Sequence, residues 1–395
     1  MSVPSKEWIK LKQRHDMRDV KGYAHIMTGG QGTVSLFMHV DEHGTIKDRA
    51  VMKDSYLDKA HWDCREMIDR MPIEIAAGYM LASPKTVKLH DHAIFKELRM
   101  YRMHLEYAPS GDLFDLVERY VNLRRLLPEP FIWYVAKSMT EVGILMQQGA
   151  LDEPKTPWRT LIHRDIKLDN MVLGSPLASE FPSYPTPKMM DFGHMMQHYA
   201  GNPMPQRDQC MGGTVNWLAP ERSGDNPGPM TPASDVYSVG CTLYHMMNGT
   251  VGSPIHHDTN GNPMFFASDN GAKYTIHLQH LVLCCMRTDY TQRPTFQQVM
   301  NRMRELFDNP SEDLEVQRVT ALSLRTVQQA DRWIPTSLED RYELDYQKDD
   351  TYRLETACDF IDGYVAEDWC GDFVGSDLGP SVQAHHTVPS HLLKS

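Results

Sequence analysis

The segment IHRDIKLDNMVL, residues 162–173, constrains this chain of 395 residues more than any other stretch. Its ends are apolar and its middle is charged, and Asp191-Phe192-Gly193 follows 21 residues after its Asn170. Ala219-Pro220-Glu221 comes further along the chain. HRD alone occurs often by chance, whereas HRD-x-K-x-x-N, DFG and APE in this order form a specific combination. The combination, more than any single motif, limits the folds that are open to this chain.

These motifs resemble the catalytic loop and the metal-binding loop of eukaryotic protein kinases. The resemblance implies an α+β fold of two lobes, with a small antiparallel β-sheet and one helix in the N-lobe and a larger, mainly helical C-lobe. It also implies transfer of the γ-phosphoryl group of ATP, with Mg²⁺, to a protein hydroxyl, a reaction that depends on positioning and charge neutralisation. Asp165 would accept the hydroxyl proton and Lys167 would offset developing charge. Asn170 and Asp191 would supply oxygen ligands to Mg²⁺.

The stretch IMTGGQGTV, residues 26–34, resembles the glycine-rich loop that covers the phosphates of ATP in this family. Gly29 and Gly32 take the second and third glycine positions, and Met27 stands where the first glycine is usual. Glycine allows the backbone to approach phosphate oxygens without a Cβ clash. Taken alone, GGQG also fits a plain hairpin turn. The downstream motifs favour the phosphate-binding interpretation.

Lys53 ends the strand-like run AVMK and matches the family's lysine that binds the α- and β-phosphates. Its partner should be a glutamate on the next helix, for which Glu66 and Glu74 compete. Glu74 lies ten residues before Pro84, which precedes a strand-like run, and this spacing favours Glu74. We therefore expect a Lys53–Glu74 ion pair.

A helix is expected around residues 61–82, and two of its residues are unusual for such a helix. Pro72 must either start the helix or kink it. Gly78 stands where a large apolar residue is usual, which predicts a loosely held helix unless Tyr79 or Met80 fills the gap. Together with Met27, these residues support an alternative function, a pseudokinase or scaffold with weak nucleotide binding.

The stretch MYRMHLEYAPSGDLFDLV, residues 100–117, resembles the hinge between the two lobes. The resemblance implies that backbone groups of Glu106 and Ala108 bind the adenine edge. Asp112 could reach the ribose, attract a basic residue near the acceptor, or simply be solvated. Three valines would enclose the adenine ring: Val34, Val51 and Val172.

Two features favour serine and threonine as acceptors, namely Lys167 in the catalytic loop and the Gly-Thr pair at 213–214. Asp235 matches the helix aspartate that supports the catalytic loop. Arg293 matches the arginine that pairs with the glutamate of APE, here Glu221.

No serine or threonine lies between the DFG motif and the Gly-Thr pair. Cys210 occupies the position, four residues before that threonine, where the family often carries a regulatory hydroxyl. Asp208 could supply a permanent negative charge to Arg164 in place of phosphate. Modification of Tyr199 and oxidation of Cys210 are the other hypotheses. The Asp208 hypothesis predicts activity without serine or threonine phosphorylation in this segment.

Charge is concentrated at the ends of the chain. The formal net charge is −12, and residues 311–395 alone hold 17 acidic and 7 basic side chains. The nearly neutral remainder argues against a nucleic-acid-binding surface. No run of about 18 apolar residues and no signal-like start is present, so we expect no membrane span and a cytoplasmic or nuclear protein. Protein substrates and ATP are the expected partners of a monomer.

We expect four regions in the chain. They are a basic N-terminal extension (1–21), the N-lobe and hinge (22–108), the C-lobe (109–307) and an acidic tail (308–395). The tail mixes acidic and aromatic residues, which is typical of disordered segments that dock partners. Alternatively, it folds back on the N-terminal extension, where six Lys and Arg residues face three Asp and Glu residues.

Overall fold

The computed structural model describes residues 7–10, 28–29, 32–40, 46–57, 59–64, 67–68, 71–182, 184–198, 213–222, 228–259, 263–265, 274–308 and 351–353. The chain divides into two compact units. Unit 1 comprises Met1–Ala82, Val87–Tyr107 and Ser337–Ser395, and unit 2 comprises Ser83–Thr86 and Ala108–Thr336.

Unit 1 is built on an antiparallel sheet. In chain order its elements are β1 (Glu7–Lys10), β2 (Thr28–Gly29), β3 (Gly32–Val40), β4 (Ile46–Tyr56), α1 (Lys59–Cys64), β5 (Met67–Ile68), β6 (Met71–Pro72), α2 (Ile73–Met80), β7 (Leu89–Phe95), β8 (Met100–Leu105) and β13 (Thr351–Arg353). The sheet order is β13-β1-β3-β4-β8-β7, and β2 pairs with β3. Val34 lies opposite Lys53 in the β3–β4 ladder, and Lys53 lies opposite Met103 in the β4–β8 ladder. Cross-strand partners share a face of the sheet, so this register decides which side chains lie beside Lys53.

The helix expected around residues 61–82 is not continuous. The short helix α1 and the strands β5 and β6 come before α2, which begins at Ile73. Pro72 takes the cap position of α2 with φ of −49° and ψ of 135°. Its ring excludes a helical hydrogen bond from its own nitrogen and disfavours helix in the preceding residue, so the helix starts after Pro72 and is not kinked by it.

Unit 2 is mainly helical. Its elements are α3 (Leu113–Asn122), α4 (Glu129–Gln148), β9 (Leu161–Ile162), β10 (Met171–Gly174), β11 (Thr186–Met189), β12 (Met196–Gln197), α5 (Pro232–Asn248), α6 (Ile276–Cys285) and α7 (Phe296–Asp308). Helix α4 is buried on almost every side, as expected of an apolar helix at the centre of a core. Helix α5 begins after Thr231, whose backbone carbonyl accepts a hydrogen bond from the Ser234 N–H at 2.9 Å, and it ends at Gly249, whose φ of 63° suits glycine.

The predicted α+β fold is confirmed, with an antiparallel sheet in the N-terminal part and helices in the C-terminal part. The apolar stretch at 274–307, expected to be helical, contains two helices because the segment between α6 and α7 includes Pro294 and a short 3-10 turn. Across the described part of the chain, no helix combines the length and the apolarity needed to cross a membrane.

Candidate active site

The carboxylate of Asp165 is the centre of a hydrogen-bonded cluster in unit 2. Its Oδ1 accepts a hydrogen bond from the hydroxyl of Thr214 at 2.7 Å. Its Oδ2 accepts one from Nδ2 of Asn170 at 3.0 Å and lies 3.2 Å from Nζ of Lys167. Lys167 also donates to the Thr214 hydroxyl at 2.9 Å. The structure therefore brings together the three side chains that the sequence assigned to catalysis, and it adds Thr214 to them.

Local backbone geometry places these side chains. Strand β9 leads into the catalytic loop, and a short 3-10 helix, Leu168–Asn170, connects that loop to β10. Nδ2 of Asn170 also donates to the backbone carbonyl of Asp165 at 2.8 Å, so the amide holds both the backbone and the side chain of that residue. Because Nδ2 is used twice, Oδ1 of Asn170 is oriented away from these two bonds and can accept a further partner.

Asp235 on α5 supports the start of the catalytic loop. Its two carboxylate oxygens accept hydrogen bonds from the backbone N–H groups of His163 at 2.7 Å and Arg164 at 2.9 Å. Burial raises the pKa of Asp235 to about 6, and these two hydrogen bonds oppose the rise. Arg164 has a φ of 74°, a conformation that non-glycine residues rarely adopt, so the two bonds also help to hold a strained residue.

His163 is fully buried behind the cluster. Burial lowers the pKa of its imidazole, which favours the neutral ring. Its Nδ1 accepts a hydrogen bond from the N–H of Asp165 at 3.3 Å, and Nε2 lies 3.3 Å from the carbonyl oxygen of Met190. A proton on Nε2 satisfies both contacts. The ring also packs against Phe192 at 5.3 Å between centroids, which links the catalytic loop to the DFG motif.

Asp191 precedes a 3-10 turn, Phe192–His194, and has a φ of 60°. A non-glycine residue in this left-handed region is uncommon and often marks a functional position. The residue before Asp191 is bonded to the catalytic loop: the backbone N–H of Met190 donates to the backbone carbonyl of Asn170 at 3.0 Å. Asp191 and Asn170 are thus carried by directly connected segments of unit 2.

Gly213 sits where a side chain could not. Its φ is 99°, and a Cβ there would lie 2.8 Å from the carbonyl oxygen of Arg164 and 2.4 Å from Cδ2 of Leu218. The absence of a side chain lets the backbone before Thr214 approach the catalytic loop. This close approach gives a physical reason for glycine in the Gly-Thr pair.

Glu74 of α2 forms two polar contacts within unit 1. Its Oε1 lies 2.5 Å from Nζ of Lys53, and its Oε2 accepts a hydrogen bond from the Tyr101 hydroxyl at 2.6 Å. The glutamate is only 5% exposed, so both contacts offset the desolvation of its charge. Of the two competing glutamates, Glu74 is the one that the structure brings to Lys53, and Glu66 lies outside the described residues. The contact with Tyr101 was missed by sequence reasoning.

The gap expected at Gly78 is filled by Leu89 of β7. A Cβ on Gly78 would lie 2.9 Å from Cδ2 and 3.0 Å from Cβ of Leu89, so the leucine occupies the space that a side chain at 78 would need. Neither Tyr79 nor Met80 has that role. Residues Ile73 to Ala77 of α2 are all buried. These contacts argue against the loosely held helix that the sequence suggested.

The glycine-rich stretch forms a hairpin. Gly29 pairs with Gly32 and Thr28 with Thr33, while Met27 lies outside the described residues. A Cβ on Gly32 would lie 2.3 Å from the carbonyl oxygen of Asp54 on β4. Gly32 therefore has a packing reason to lack a side chain, in addition to any contact with phosphate.

The residues assigned to the adenine and the ribose belong partly to each unit. The N–H of Glu106 donates to the carbonyl of Lys88 at 2.9 Å, which fixes the backbone at this residue. Val51 lies opposite Leu105 in the sheet. Asp112 caps α3, since its Oδ1 accepts a hydrogen bond from the N–H of Asp115 at 2.8 Å. Sequence reasoning missed this cap.

In unit 2, residue 112 also forms an isolated bridge with Val172 on β10. The backbone before it bonds to the same strand, through Ser110 N–H to the Leu173 carbonyl at 3.0 Å. Ala108, just ahead of this pairing, makes no hydrogen bond through its N–H among the described residues. Its N–H is therefore a donor that an adenine nitrogen could use.

Glu221 and Arg293 form the ion pair expected from the sequence. The two bonds between guanidinium and carboxylate measure 2.8 Å and 2.7 Å. Burial raises the pKa of Glu221, and the hydrogen bonds and charge of Arg293 outweigh this, so the pKa lies below its ordinary value. The pair anchors the end of the APE motif to the segment before α7. Asp208, Cys210 and Tyr199, the residues of the regulatory hypotheses, lie outside the described residues.

Comparisons with known proteins agree with this geometry. A family model for the protein kinase domain matches residues 23–303. The chain is 25% identical over 234 residues to serine/threonine-protein kinase PKH2 of Saccharomyces cerevisiae, covering 59% of this chain and 19% of that protein. It is 30% identical over 196 residues to CBL-interacting protein kinase 9 of Oryza sativa, covering 49% and 37%. It is 24% identical over 276 residues to sucrose non-fermenting protein kinase 1 of Fusarium virguliforme, covering 69% and 33%. The matched region is well under half the length of each of these relatives.

Proposed function

The chain belongs to the protein kinase family, and on this premise we propose that it transfers the γ-phosphoryl group of ATP, with Mg²⁺, to serine and threonine hydroxyls of protein substrates. The match to the family model confirms the family membership expected from the motifs. The relatives named above include a serine/threonine-protein kinase. The proposal assigns the N-lobe and hinge to residues 22–108 and the C-lobe to residues 109–307. It assigns the acceptor chemistry to the cluster around Asp165.

The observation that carries the proposal is the hydrogen bond from the Thr214 hydroxyl to Oδ1 of Asp165, at 2.7 Å. An aliphatic hydroxyl already reaches this carboxylate oxygen, while Asn170 and Lys167 occupy the side of Oδ2. A substrate hydroxyl that replaced Thr214 at Oδ1 would stand within the reach required for general-base catalysis. Asp165 would then accept its proton as the new bond to phosphorus forms.

Lys167 would act on charge. Its ammonium group bonds to the Thr214 hydroxyl and lies beside Asp165, so it stands near the position proposed for the acceptor oxygen. A cation there would stabilise negative charge that develops on the transferred group. The same contact between Lys167 and Thr214 supports the assignment to serine and threonine acceptors.

The donor set of Asn170 and Asp191 fits a magnesium site. Mg²⁺ prefers oxygen ligands and usually takes only one or two carboxylates from the protein, with substrate phosphates completing its shell. The described residues contain no group of three or more His, Cys, Asp or Glu side chains able to hold a metal, which agrees with a site completed by phosphate. Oδ1 of Asn170 and the carboxylate of Asp191 would be the protein ligands. The bound cation would neutralise charge on the phosphates.

The remaining nucleotide contacts follow from the family resemblance. Lys53, held by Glu74 at 2.5 Å, would bind the α- and β-phosphates, and the hairpin with Met27, Gly29 and Gly32 would cover them. The Glu106 carbonyl and the Ala108 N–H would bind the adenine edge. Asp112 would approach the ribose. Three valines would enclose the ring: Val34, Val51 and Val172.

The alternative of a pseudokinase rested on Met27, Pro72 and Gly78. Pro72 caps α2 without disturbing it, and Leu89 fills the gap at Gly78. The Lys53–Glu74 pair is formed. These observations support the active enzyme, and Met27 remains the one feature that favours weak nucleotide binding.

Purified protein incubated with labelled ATP, Mg²⁺ and a generic protein substrate tests the proposal. We expect Asp165→Asn to lower incorporation by about 10²- to 10⁴-fold, the range for loss of a general base. Asp152→Asn, at an exposed carboxylate of unit 2, serves as the matched control and should retain full activity. Equal incorporation by wild type and Asp165→Asn would refute the catalytic assignment. Label found only on tyrosine would refute the acceptor class.

A further inference from the structure

The connection between β10 and β11, residues 175–185, contacts helix α4 and the segment Ser83–Thr86, all within unit 2. Its Glu180 places one carboxylate oxygen on the ammonium group of Lys85 and the other on that of Lys137. Lys137 lies on α4 and also pairs with Glu141 of the same helix at 2.7 Å. One carboxylate of the connection is therefore shared by two cations from two different segments.

The side chain of Lys85 is only 5% exposed, and lysine is rarely buried to this extent unless it is paired. Its Nζ donates to the Tyr134 hydroxyl at 3.0 Å and lies 4.2 Å from the centre of that ring. Phe181 of the connection stacks on Tyr134, with 4.6 Å between ring centroids and 14° between planes. Burial lowers the pKa of Lys85 to about 8, against the opposing charge of Glu141. A cation desolvated in this way depends on the carboxylate to which it is bonded.

The backbone of the same lysine holds the strand that leads to the DFG motif. The carbonyl of Lys85 accepts a hydrogen bond from the N–H of Met189, the last residue of β11, at 2.8 Å, and Thr86 forms a parallel bridge with Met189. Asp191 follows two residues later. Lys85 is therefore attached through its side chain to Glu180 and through its carbonyl to the residue two before Asp191.

The other end of β11 is bonded to the same cluster. The Tyr134 hydroxyl donates to the hydroxyl of Thr186, the first residue of β11, at 3.3 Å. The Thr186 hydroxyl in turn donates to the carbonyl of Ser175 at 2.7 Å, at the start of the connection. Both ends of the strand are thus fixed by residues that contact the ammonium group of Lys85 or carry it.

We propose that Glu180 is a positioning residue for Asp191, the aspartate assigned to Mg²⁺, and that it acts through Lys85 and the backbone bond to Met189. The assignment rests on the proposed function. Without the Glu180 charge, the ammonium group of Lys85 would remain buried beside a carboxylate it no longer contacts, which favours conformations in which it reaches water. A lysine that turns outward moves its own backbone, which weakens the bond to Met189 and leaves Asp191 less firmly placed.

Hydrogen–deuterium exchange of the full chain, without nucleotide or metal, tests the attachment itself. We expect Glu180→Gln to speed amide exchange in residues 186–191 by about tenfold or more, because a hydrogen bond to a charged group contributes at least that factor to a local equilibrium. Lys137→Gln is the matched control, since it removes the other cation bonded to Glu180 and leaves Lys85 in place. Its exchange should match that of wild type. Unchanged exchange in Glu180→Gln, or equal increases in both variants, would overturn the proposal.

The rate of phosphoryl transfer, measured against free Mg²⁺ at saturating ATP, tests the consequence for Asp191. Glu180→Gln should raise the Mg²⁺ concentration that gives half the maximal rate by about two- to thirtyfold, the range over which residues remote from a ligand modulate its binding. A loss of folded enzyme alone would lower the rate at every Mg²⁺ concentration without this shift, and that result would overturn the positioning role. Absence of transfer by the wild type would refute the proposed function alone, because the exchange experiment contains neither nucleotide nor metal.

A double variant tests the route through Lys85. Lys85→Met in the Glu180→Gln background removes the buried cation and keeps a long apolar side chain beside the Tyr134 ring. Replacement of a buried charge pair by uncharged side chains of similar size is often neutral, so exchange in residues 186–191 and the Mg²⁺ requirement should return toward the wild-type values. A double variant that exchanges as fast as Glu180→Gln would show that Lys85 does not transmit the effect, and the proposal would fall.

Discussion

Breaking the Glu221–Arg293 ion pair on one side should destabilise unit 2 strongly. Glu221 ends the APE motif, and the Arg293 side chain is 0% exposed. Arg293 uses all of its donors, since it also bonds to the carbonyl oxygens of Arg287 at 2.7 Å, Ala233 at 2.9 Å and Thr288 at 3.3 Å. Replacement of Glu221 by alanine leaves this cation buried with two donors unmatched.

The magnitude follows from that burial. Removal of one partner from a buried ion pair costs about 3–5 kcal/mol, because the remaining charge stays desolvated and uncompensated. For a domain of this size, 1 kcal/mol shifts the melting temperature by roughly 2–4 °C, so Glu221→Ala should lower it by roughly 6–20 °C. Arg293→Met should have a similar effect, since it leaves Glu221 with a hydrogen bond from Ser234 at 2.9 Å and no cation.

A double-mutant cycle measures the coupling. Urea unfolding followed by the fluorescence of the unit 2 tryptophans would give free energies for Glu221→Leu, Arg293→Met and the double variant. The double variant removes both charges, so we expect it to be less destabilised than the sum of the single variants by at least about 1.5 kcal/mol. Single effects that add to within about 0.5 kcal/mol would refute the reasoning.

The pH dependence gives a second check. The pKa of Glu221 is lowered in the folded protein, so its contribution to stability is present above the ordinary value of 4.5 and is lost as the pH falls below it. Without Arg293, burial still raises the pKa of Glu221 while the hydrogen bonds and charge of Arg293 that lower it are lost, so the pKa is higher in the variant than in wild type. Arg293→Met should therefore recover stability relative to wild type as the pH falls. A stability difference that stays constant with pH would contradict this assignment.

Three further predictions concern other buried contacts. Gly78→Ala should not stabilise the wild type, because its Cβ would lie 2.9 Å from Leu89, but it should raise the melting temperature of a Leu89→Ala background. Tyr101→Phe removes the 2.6 Å bond to Glu74 and should lower the free energy of unfolding of unit 1 by about 1.5–3 kcal/mol in denaturant titrations. Burial lowers the pKa of His245 to about 4, so the folded state stays neutral while the unfolded state takes up a proton. Wild type should therefore lose about 3 kcal/mol relative to His245→Asn between about pH 7 and pH 4 in the same titrations.

The cluster around Asp165 could be predicted because its members are close in sequence. Asp165, Lys167 and Asn170 lie within one loop and one 3-10 turn, so local backbone geometry alone brings them near each other. The pairing of Lys53 with Glu74 was expected from the family resemblance together with the spacing to Pro84. Local geometry does not determine that distance, because α1, β5 and β6 lie between the two residues.

Tyr101 shows a contact that sequence reasoning missed although the signal was present. Lys53 lies opposite Met103 in the β4–β8 ladder. Tyr101 is two residues from Met103, and residues two apart on a strand point to the same face. Once the register is known, Tyr101 and Lys53 must share the face that carries Glu74. The register itself depends on pairing between distant segments, which the sequence pattern did not determine.

The β1–β13 ladder could not be predicted for a related reason. Thr351–Arg353 is a strand of three residues within an acidic tail, and nothing in its local pattern distinguishes it from the segments beside it. Its partner lies more than 300 residues earlier in the chain, so the pairing depends on the ladder that β1 makes with β3. Local propensity carries little information where a strand exists only because an edge is already present.

Gly78 shows why a missing side chain is a poor guide to loose packing. A sequence reveals that a large residue is absent from a position, but it does not reveal which neighbour moves into the space. Leu89 approaches the Gly78 backbone so closely that a Cβ would contact it at 2.9 Å, and α2 stays buried from Ile73 to Ala77. Because interiors are close-packed, volume lost at one position is recovered at another. Gly78 and Leu89 therefore act as one packing unit, and a change at either residue has to be judged with the other in place.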